Sequence, residues 1–210
     1  MGTSEDVAKT GEKRTIAQGV EVVEFYRNYK PRRSYTPYVC DLLKCVPKPY
    51  LAGLDRVVLT DASGESRRER RKKTHSRGKK VFVADSYGYY QPECNGNRPY
   101  IQLNVDRIYP IWRPEPTPYQ RLLAPLIRPA LARAQFAHVL FHEIGHHIHA
   151  EKRPEQREKE NVADRYGWQL FKRLLLMRWY LMAPAMLGLL LLPSCWRPIG
   201  RSCIRSMPSR

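Results

Sequence analysis

This chain of 210 residues lacks several features that would identify its class directly. Its five cysteines include no Cys-x-x-Cys pair, so cysteine spacing indicates neither a metal ribbon nor a disulfide framework. Its first residues, MGTSEDVAKTGEKR, are too polar for a secretory signal peptide. We therefore expect a cytoplasmic protein whose cysteines stay reduced.

Long hydrophobic runs are also missing. The longest is Trp179 to Leu192, WYLMAPAMLGLLLL, which falls short of the roughly 20 residues that a membrane-spanning helix needs. We interpret it as a buried terminal helix, kinked at Pro184. The alternative is that this C-terminal hydrophobic segment makes a weak membrane association, which would place the protein at a membrane.

Acidic residues are few: 20 Asp and Glu stand against 37 Lys and Arg, for a net charge of +17. The excess is concentrated in two segments. Gly64 to Lys80 has nine Lys and Arg and two Glu, and Pro193 to Arg210 has four Arg and no acid. We interpret them first as a solvated basic loop and tail. The alternative partner for the basic loop is nucleic acid or another anionic surface.

The chain changes from strand-like to helix-like sequence near Pro110. The segment from Val57 to Tyr109 is rich in β-branched and aromatic residues, which predicts strands. Hydrophobic residues after Pro118 recur with helical spacing. The pattern predicts helices over Tyr119–Ala134 (interrupted at Pro125 and Pro129), Gln135–Ala150 and Glu155–Met182. The expected fold class is α+β, with a small antiparallel sheet followed by two helices.

We divide the chain into three parts. Residues 1–56 form an N-terminal segment with few clear signals. Residues 57–172 form the core, including the basic loop at 64–80. Residues 173–210 form a hydrophobic and then basic extension.

Histidine is scarce as well, yet five of the six histidines lie between His138 and His149. Within this stretch, His142, Glu143 and His146 form the pattern His-Glu-x-x-His. Residues four apart lie on one face of a helix, about 6 Å apart along its axis. Two imidazoles so placed can bind one zinc ion, with the glutamate beside a water on the metal.

The other histidines do not suit a third ligand position. His149 lies about 10 Å along the helix from His142, and His138 lies about 12 Å along it from His146. His147 points to the opposite side of the helix. We expect packing roles for these three residues.

The third ligand is expected on the next helix. Pro154 suits the first turn of a helix, so the chain reverses just before it. At 1.5 Å per residue, Glu160 then comes level with His146, and Asp164 comes level with His142. Two antiparallel helices would therefore bring one carboxylate to the metal and a second carboxylate to a ligand imidazole.

The facing of the second helix supports this choice. Glu160 shares one helical stripe with Ala163 and Gly167, whose small side chains would let the two helices approach closely. Glu158 lies on the other side and should face solvent.

The segments HEIGH and ENVADRYG together resemble the gluzincin zinc metallopeptidases, in particular the short minigluzincins and the Ste24/HtpX-like peptidases. The resemblance implies a zincin-like core with an active-site helix, an antiparallel ligand helix and one zinc ion per chain. It places the zinc on His142, His146 and Glu160, makes Glu143 the general base, and gives Asp164 the role of orienting a ligand.

The resemblance also implies that the strand before the active-site helix borders the cleft and pairs with the substrate backbone. Tyr100 to Ile108 is in position for this. A plain internal strand is the other interpretation, and the sequence leaves both open.

The function expected from these patterns is that of a zinc-dependent metalloendopeptidase acting on a protein or peptide. Glu143 would take a proton from the zinc-activated water and pass it to the leaving amine. The alternative is a basic nucleic-acid-associated protein with a structural zinc site, or a protease tethered to nucleic acid.

Overall fold

The computed structural model describes most of the chain as one α+β fold. The described residues are 13–31, 33–64, 73–76, 79–82, 85–94, 96–108, 118–152 and 160–191. They form a five-stranded sheet, a separate two-stranded hairpin and four helices. The predicted α+β class is confirmed.

The described elements include two 3-10 turns, at Lys48–Tyr50 and Ala62–Gly64. The strands are β1 (Lys13–Ala17), β2 (Val20–Glu24), β3 (Arg56–Thr60), β4 (Lys73–Ser76), β5 (Lys79–Phe82), β6 (Gly88–Gln91) and β7 (Tyr100–Asn104). The helices are α1 (Thr36–Lys44), α2 (Val105–Ile108), α3 (Pro118–Lys152) and α4 (Glu160–Leu191).

The large sheet has the order β1-β2-β3-β7-β6 and is mixed rather than antiparallel. Only its two outer pairs, β1 with β2 and β6 with β7, run antiparallel. The inner pairs, β2 with β3 and β3 with β7, are parallel. Parallel neighbours need long crossover connections. The segment that contains α1 supplies the first, and the segment that contains β4 to β6 supplies the second.

The N-terminal segment belongs to the same sheet as the rest of the core. A tight turn at Gln18 and Gly19, both with positive φ (54° and 87°), joins β1 to β2, as two-residue hairpin turns require. Val22 of β2, Leu42 of α1 and Val57 of β3 are fully buried in one hydrophobic cluster. The weakly patterned first 56 residues therefore supply two strands and a helix.

The predicted strands of the middle segment are shorter than expected. The run KKVFVADSYGYY divides into β5 and β6. The predicted strand Tyr100–Ile108 ends at Asn104, because the chain turns there into the single helical turn α2. The basic segment is not only loop, since β4 and β5 pair within and beside it. Its side chains lie outside the described residues.

The helices are longer than predicted. The chain from residue 118 to 152 is one helix, α3, because the backbone continues in helical form through Pro125 and Pro129. Helix α4 likewise continues past Pro184, so the boundary drawn at residue 172 falls inside it. None of the described helices has an apolar stretch that would cross a membrane. The expected reversal at Pro154 and the facing of Glu158 lie outside the described residues.

Candidate metal centre

Helices α3 and α4 touch backbone to backbone at the candidate site. A Cβ atom added to Gly145 would lie 2.9 Å from the Cα of Ala163 and nearer still to its carbonyl oxygen. A Cβ atom on Gly167 would lie 3.1 Å from the backbone of His142. Gly145 meets Ala163, whereas His142, which comes earlier on α3, meets Gly167, which comes later on α4. The two helices are therefore antiparallel. The expected close approach at Ala163 and Gly167 is confirmed.

This approach brings three potential ligand atoms together. The Nε2 atoms of His142 and His146 lie 3.1 Å apart. The Oε2 atom of Glu160 lies 3.4 Å from the first and 3.9 Å from the second. The circle through these three atoms has a radius of about 2.0 Å, close to the 2.0–2.2 Å of zinc–nitrogen and zinc–oxygen bonds. The three residues therefore fit one zinc ion without rearrangement.

The hydrogen bonding of His142 determines which of its nitrogens can bind a metal. Its Nδ1 lies 2.9 Å from Oδ1 of Asp164. An ionised carboxylate only accepts hydrogen bonds, so the proton at this contact belongs to Nδ1. The lone pair of a neutral His142 is then on Nε2, which faces Glu160 and His146. Asp164 thus occupies the expected position, from which it can orient a ligand imidazole.

The surroundings of His142 are negatively charged. Burial alone would lower the pKa of His142, but the hydrogen bond with Glu160 and the charges of Glu143, Asp164 and Glu160 outweigh burial and raise the pKa. The imidazole therefore takes up a proton more readily than a histidine in water. A bound divalent metal ion would satisfy the same negative surroundings without that proton.

Glu143 lies beside the ligand histidines on the side of α3 that packs against the sheet. It is only 6% exposed. Val139, one turn before it, lies against Gly88 of β6, and His147, one turn after it, contacts Tyr90 of the same strand. Helix spacing therefore places Glu143 alongside β6. Among the described strands, β6 is the one at this edge of the sheet.

Strand β7 does not border the cleft. It pairs with β3 on one side and with β6 on the other, so the internal-strand interpretation of Tyr100–Ile108 is correct. The sequence left open whether this strand borders the active-site helix or lies inside the sheet. The edge position belongs instead to the preceding strand, β6, because the chain returns between β3 and β6 to form β7.

The remaining histidines pack as expected. His147 is fully buried, with Nε2 2.8 Å from the carbonyl oxygen of Ala52, to which it donates. Burial, the largest influence, lowers the pKa of His147. His149 is also buried. His138 is exposed and packs edge-on against Phe171 at 6.4 Å between ring centroids.

The structure brings together the five residues that the sequence singled out: His142, Glu143, His146, Glu160 and Asp164. Sequence reasoning missed Gly145, which allows the close contact between α3 and α4. Its signal was present, because glycine inside a helix costs about 1 kcal/mol relative to alanine and so indicates a packing requirement. Tyr166 of α4 packs against Lys152 and Tyr50.

Comparison of the chain with models of protein families, with curated proteins and with solved structures finds no match. The chemistry of the site is therefore inferred from its own atoms. These are two imidazoles and a carboxylate that converge at metal-binding distances, a further carboxylate on one imidazole, and a buried glutamate beside them.

Proposed function

We propose that this protein is a zinc-dependent metalloendopeptidase. The observation that carries the proposal is the convergence of His142 Nε2, His146 Nε2 and Glu160 Oε2 on one point, with Glu143 next to it. Three protein ligands are typical of catalytic zinc, which keeps its fourth position for water or substrate, whereas structural zinc is usually held by four. Within the described residues the group has three ligands.

Each residue has a defined task in this proposal. His142, His146 and Glu160 hold the metal, and Asp164 fixes the ring of His142 by accepting from Nδ1. When bound there, zinc would lower the pKa of a water molecule and polarise the scissile carbonyl. Glu143 takes the proton from the attacking water and then donates it to the departing amine.

The edge strand β6 is the proposed place for the substrate backbone. It runs beside Glu143 and pairs with β7 on its inner side. An extended peptide can add to the free side of an edge strand through backbone hydrogen bonds. This arrangement would lay the scissile bond along α3, near the proposed general base.

The test is the variant Glu143→Gln, which removes the base but changes neither size nor metal ligands. We expect zinc content and thermal stability close to wild type, while cleavage of casein or of a peptide library falls below detection. Removal of zinc from wild type by a chelator should abolish cleavage, and added zinc should restore it.

A matched control is Glu151→Gln on the same helix, at an exposed position. It should cleave as wild type does. If wild type cleaves no substrate and the Glu143 variant matches it in every assay, a structural zinc site becomes the better explanation. If both variants cleave equally, Glu143 is not the base.

A further inference from the structure

The outer face of α4 combines exposed hydrophobic residues with positive charge. Trp168, Lys172 and Leu176 follow one another at four-residue spacing, which places them on one side of the helix. Trp168 is 52% exposed and Leu176 is 83% exposed. We call the surface formed by Arg165, Trp168, Lys172 and Leu176, with exposed Arg173 at its border, the outer face.

The helix buries a different side. Ala163, Gly167, Leu170 and Leu174 are buried, and the first two lie where α4 meets α3. At 100° per residue, the stripe of Trp168, Lys172 and Leu176 is centred roughly 170° from these residues. The outer face therefore takes no part in holding the two helices together.

The exposed tryptophan is held in place on the surface. Its ring stacks on Phe171, with centroids 5.8 Å apart and planes 13° from parallel. The ammonium of Lys172 lies 5.7 Å from its centroid. Phe171 in turn packs against the hydrophobic core. Trp168 is thus fixed with about half of its surface in solvent.

The charge of this region has one sign only. After Asp164 the sequence contains eight Lys and Arg and no acidic residue. Arg165, Lys172 and Arg173 are all exposed. The sequence one turn beyond Leu176 continues with Trp179 and Tyr180. Exposed aromatic and aliphatic side chains next to Lys and Arg suit a surface that offers both apolar and anionic groups, as the headgroup region of a lipid bilayer does.

We propose that the outer face of α4 docks on an anionic membrane surface, with the helix lying along the interface. The headgroups would attract Arg165, Lys172 and Arg173, and Leu176 would enter the acyl boundary. A second copy of the chain fits less well, because a two-fold contact would set these three cations against themselves. Nucleic acid offers charge but no apolar environment for Trp168 and Leu176.

The test is co-sedimentation of the full chain with vesicles of phosphatidylcholine containing about one third phosphatidylserine. We expect wild type to bind these vesicles and to bind pure phosphatidylcholine weakly. The double variant Trp168→Ser with Leu176→Ser should reduce partitioning by at least about tenfold. Lys172→Gln with Arg173→Gln should reduce it by a similar factor at low salt and by less at high salt.

Two controls match these changes at distant positions. Ile16→Ser removes an aliphatic residue that is 76% exposed on β1, and Lys44→Gln removes an exposed cation on α1. Both should bind as wild type does. A third variant replaces the Lys and Arg of residues 67–80 by Ser, and it should keep most of the binding.

The proposal is overturned if wild type does not bind anionic vesicles. It is also overturned if the variants of the outer face bind as wild type does while the variant of residues 67–80 does not. Circular dichroism and melting temperature establish that each variant is folded. The docking does not depend on zinc, so chelated protein should bind vesicles equally well.

Discussion

Two groups of carboxylates in this fold have opposite surroundings. Asp61, at the end of β3, accepts hydrogen bonds from the backbone N–H groups of Arg27 and Asn28 at 2.7 and 3.0 Å. Glu24, at the end of β2, accepts from the hydroxyls of Ser34 and Thr36. In Glu160, by contrast, Oε2 lies 3.4 Å from Nε2 of His142 and 3.9 Å from Nε2 of His146.

The difference shows which carboxylates are structural. Burial alone would raise the pKa of Glu24 and of Asp61, but hydrogen bonds from hydroxyls and backbone N–H groups outweigh it and lower the pKa of both. Donors already satisfy these two groups. Glu160 instead faces two imidazole nitrogens at distances that suit the shared binding of one metal ion. We therefore expect folding to depend on Glu24 and Asp61, and metal binding to depend on Glu160.

Among the variants that test this contrast, Glu160→Ala is expected to lower zinc affinity the most. Four ligands in structural zinc sites supply about 10–16 kcal/mol, so loss of one should weaken zinc binding by more than a hundredfold. In chelator, the free energy of unfolding should change by less than about 1 kcal/mol. Competitive zinc titration and urea unfolding measure the two quantities. Glu151→Ala, an exposed change on the neighbouring helix, should alter neither.

Asp164→Ala should have the next largest effect on zinc. It removes the acceptor of the His142 Nδ1–H hydrogen bond but no ligand. Loss of such a carboxylate typically weakens affinity or activity by about 10 to 100-fold. The same titration measures it. Zinc affinity equal to wild type would mean that His142 is oriented by packing alone.

The helix contact provides a third, graded prediction. Alanine normally stabilises a helix by about 1 kcal/mol relative to glycine. At Gly145, however, the added Cβ overlaps the backbone of Ala163, so Gly145→Ala should destabilise the fold by about 1–3 kcal/mol and weaken zinc binding. Gly167→Ala, with a closest approach of 3.1 Å, should do less on both measures. The reverse order would show that the two helices do not meet as described.

Asp61→Asn is expected to leave zinc affinity unchanged. It should reduce stability by about 1–3 kcal/mol at neutral pH, because the backbone N–H groups lose a charged acceptor. A lowered pKa means that the folded state binds the proton less readily than the unfolded chain. The stability due to Asp61 is therefore present above pH of about 4 and is lost as pH falls through the folded pKa.

Unfolding titrations across pH check this directly. The difference between wild type and Asp61→Asn should shrink on acidification. A difference that stays constant down to pH of about 2 would contradict the assigned role of the carboxylate. Any loss of zinc affinity in this variant would break the proposed separation between the two groups.

The candidate site was more predictable from sequence than the sheet, because helix arithmetic is local. A rise of 1.5 Å per residue fixes the level of Glu160 against His146 and of Asp164 against His142 once a reversal is assumed. The small residues at Ala163 and Gly167 indicated the facing. The only additional requirement was that the two helices lie side by side.

The sheet depends on contacts that no local pattern records. The parallel pairing of β2 with β3 joins residues more than 30 positions apart, such as Val22 and Val57. Short alternating runs do not specify strand order or direction. The edge position of β6 likewise follows from the return of the chain to form β7, so sequence spacing could not decide which strand lies at the edge.

The central claim is that α3 and α4 hold one catalytic zinc ion between them. The most direct measurement is elemental analysis of purified, extensively dialysed protein, with Glu160→Ala prepared in parallel. We predict about one zinc per chain in wild type and much less in the variant. Wild type without a stoichiometric transition metal, or a variant that retains as much zinc as wild type, would contradict the claim.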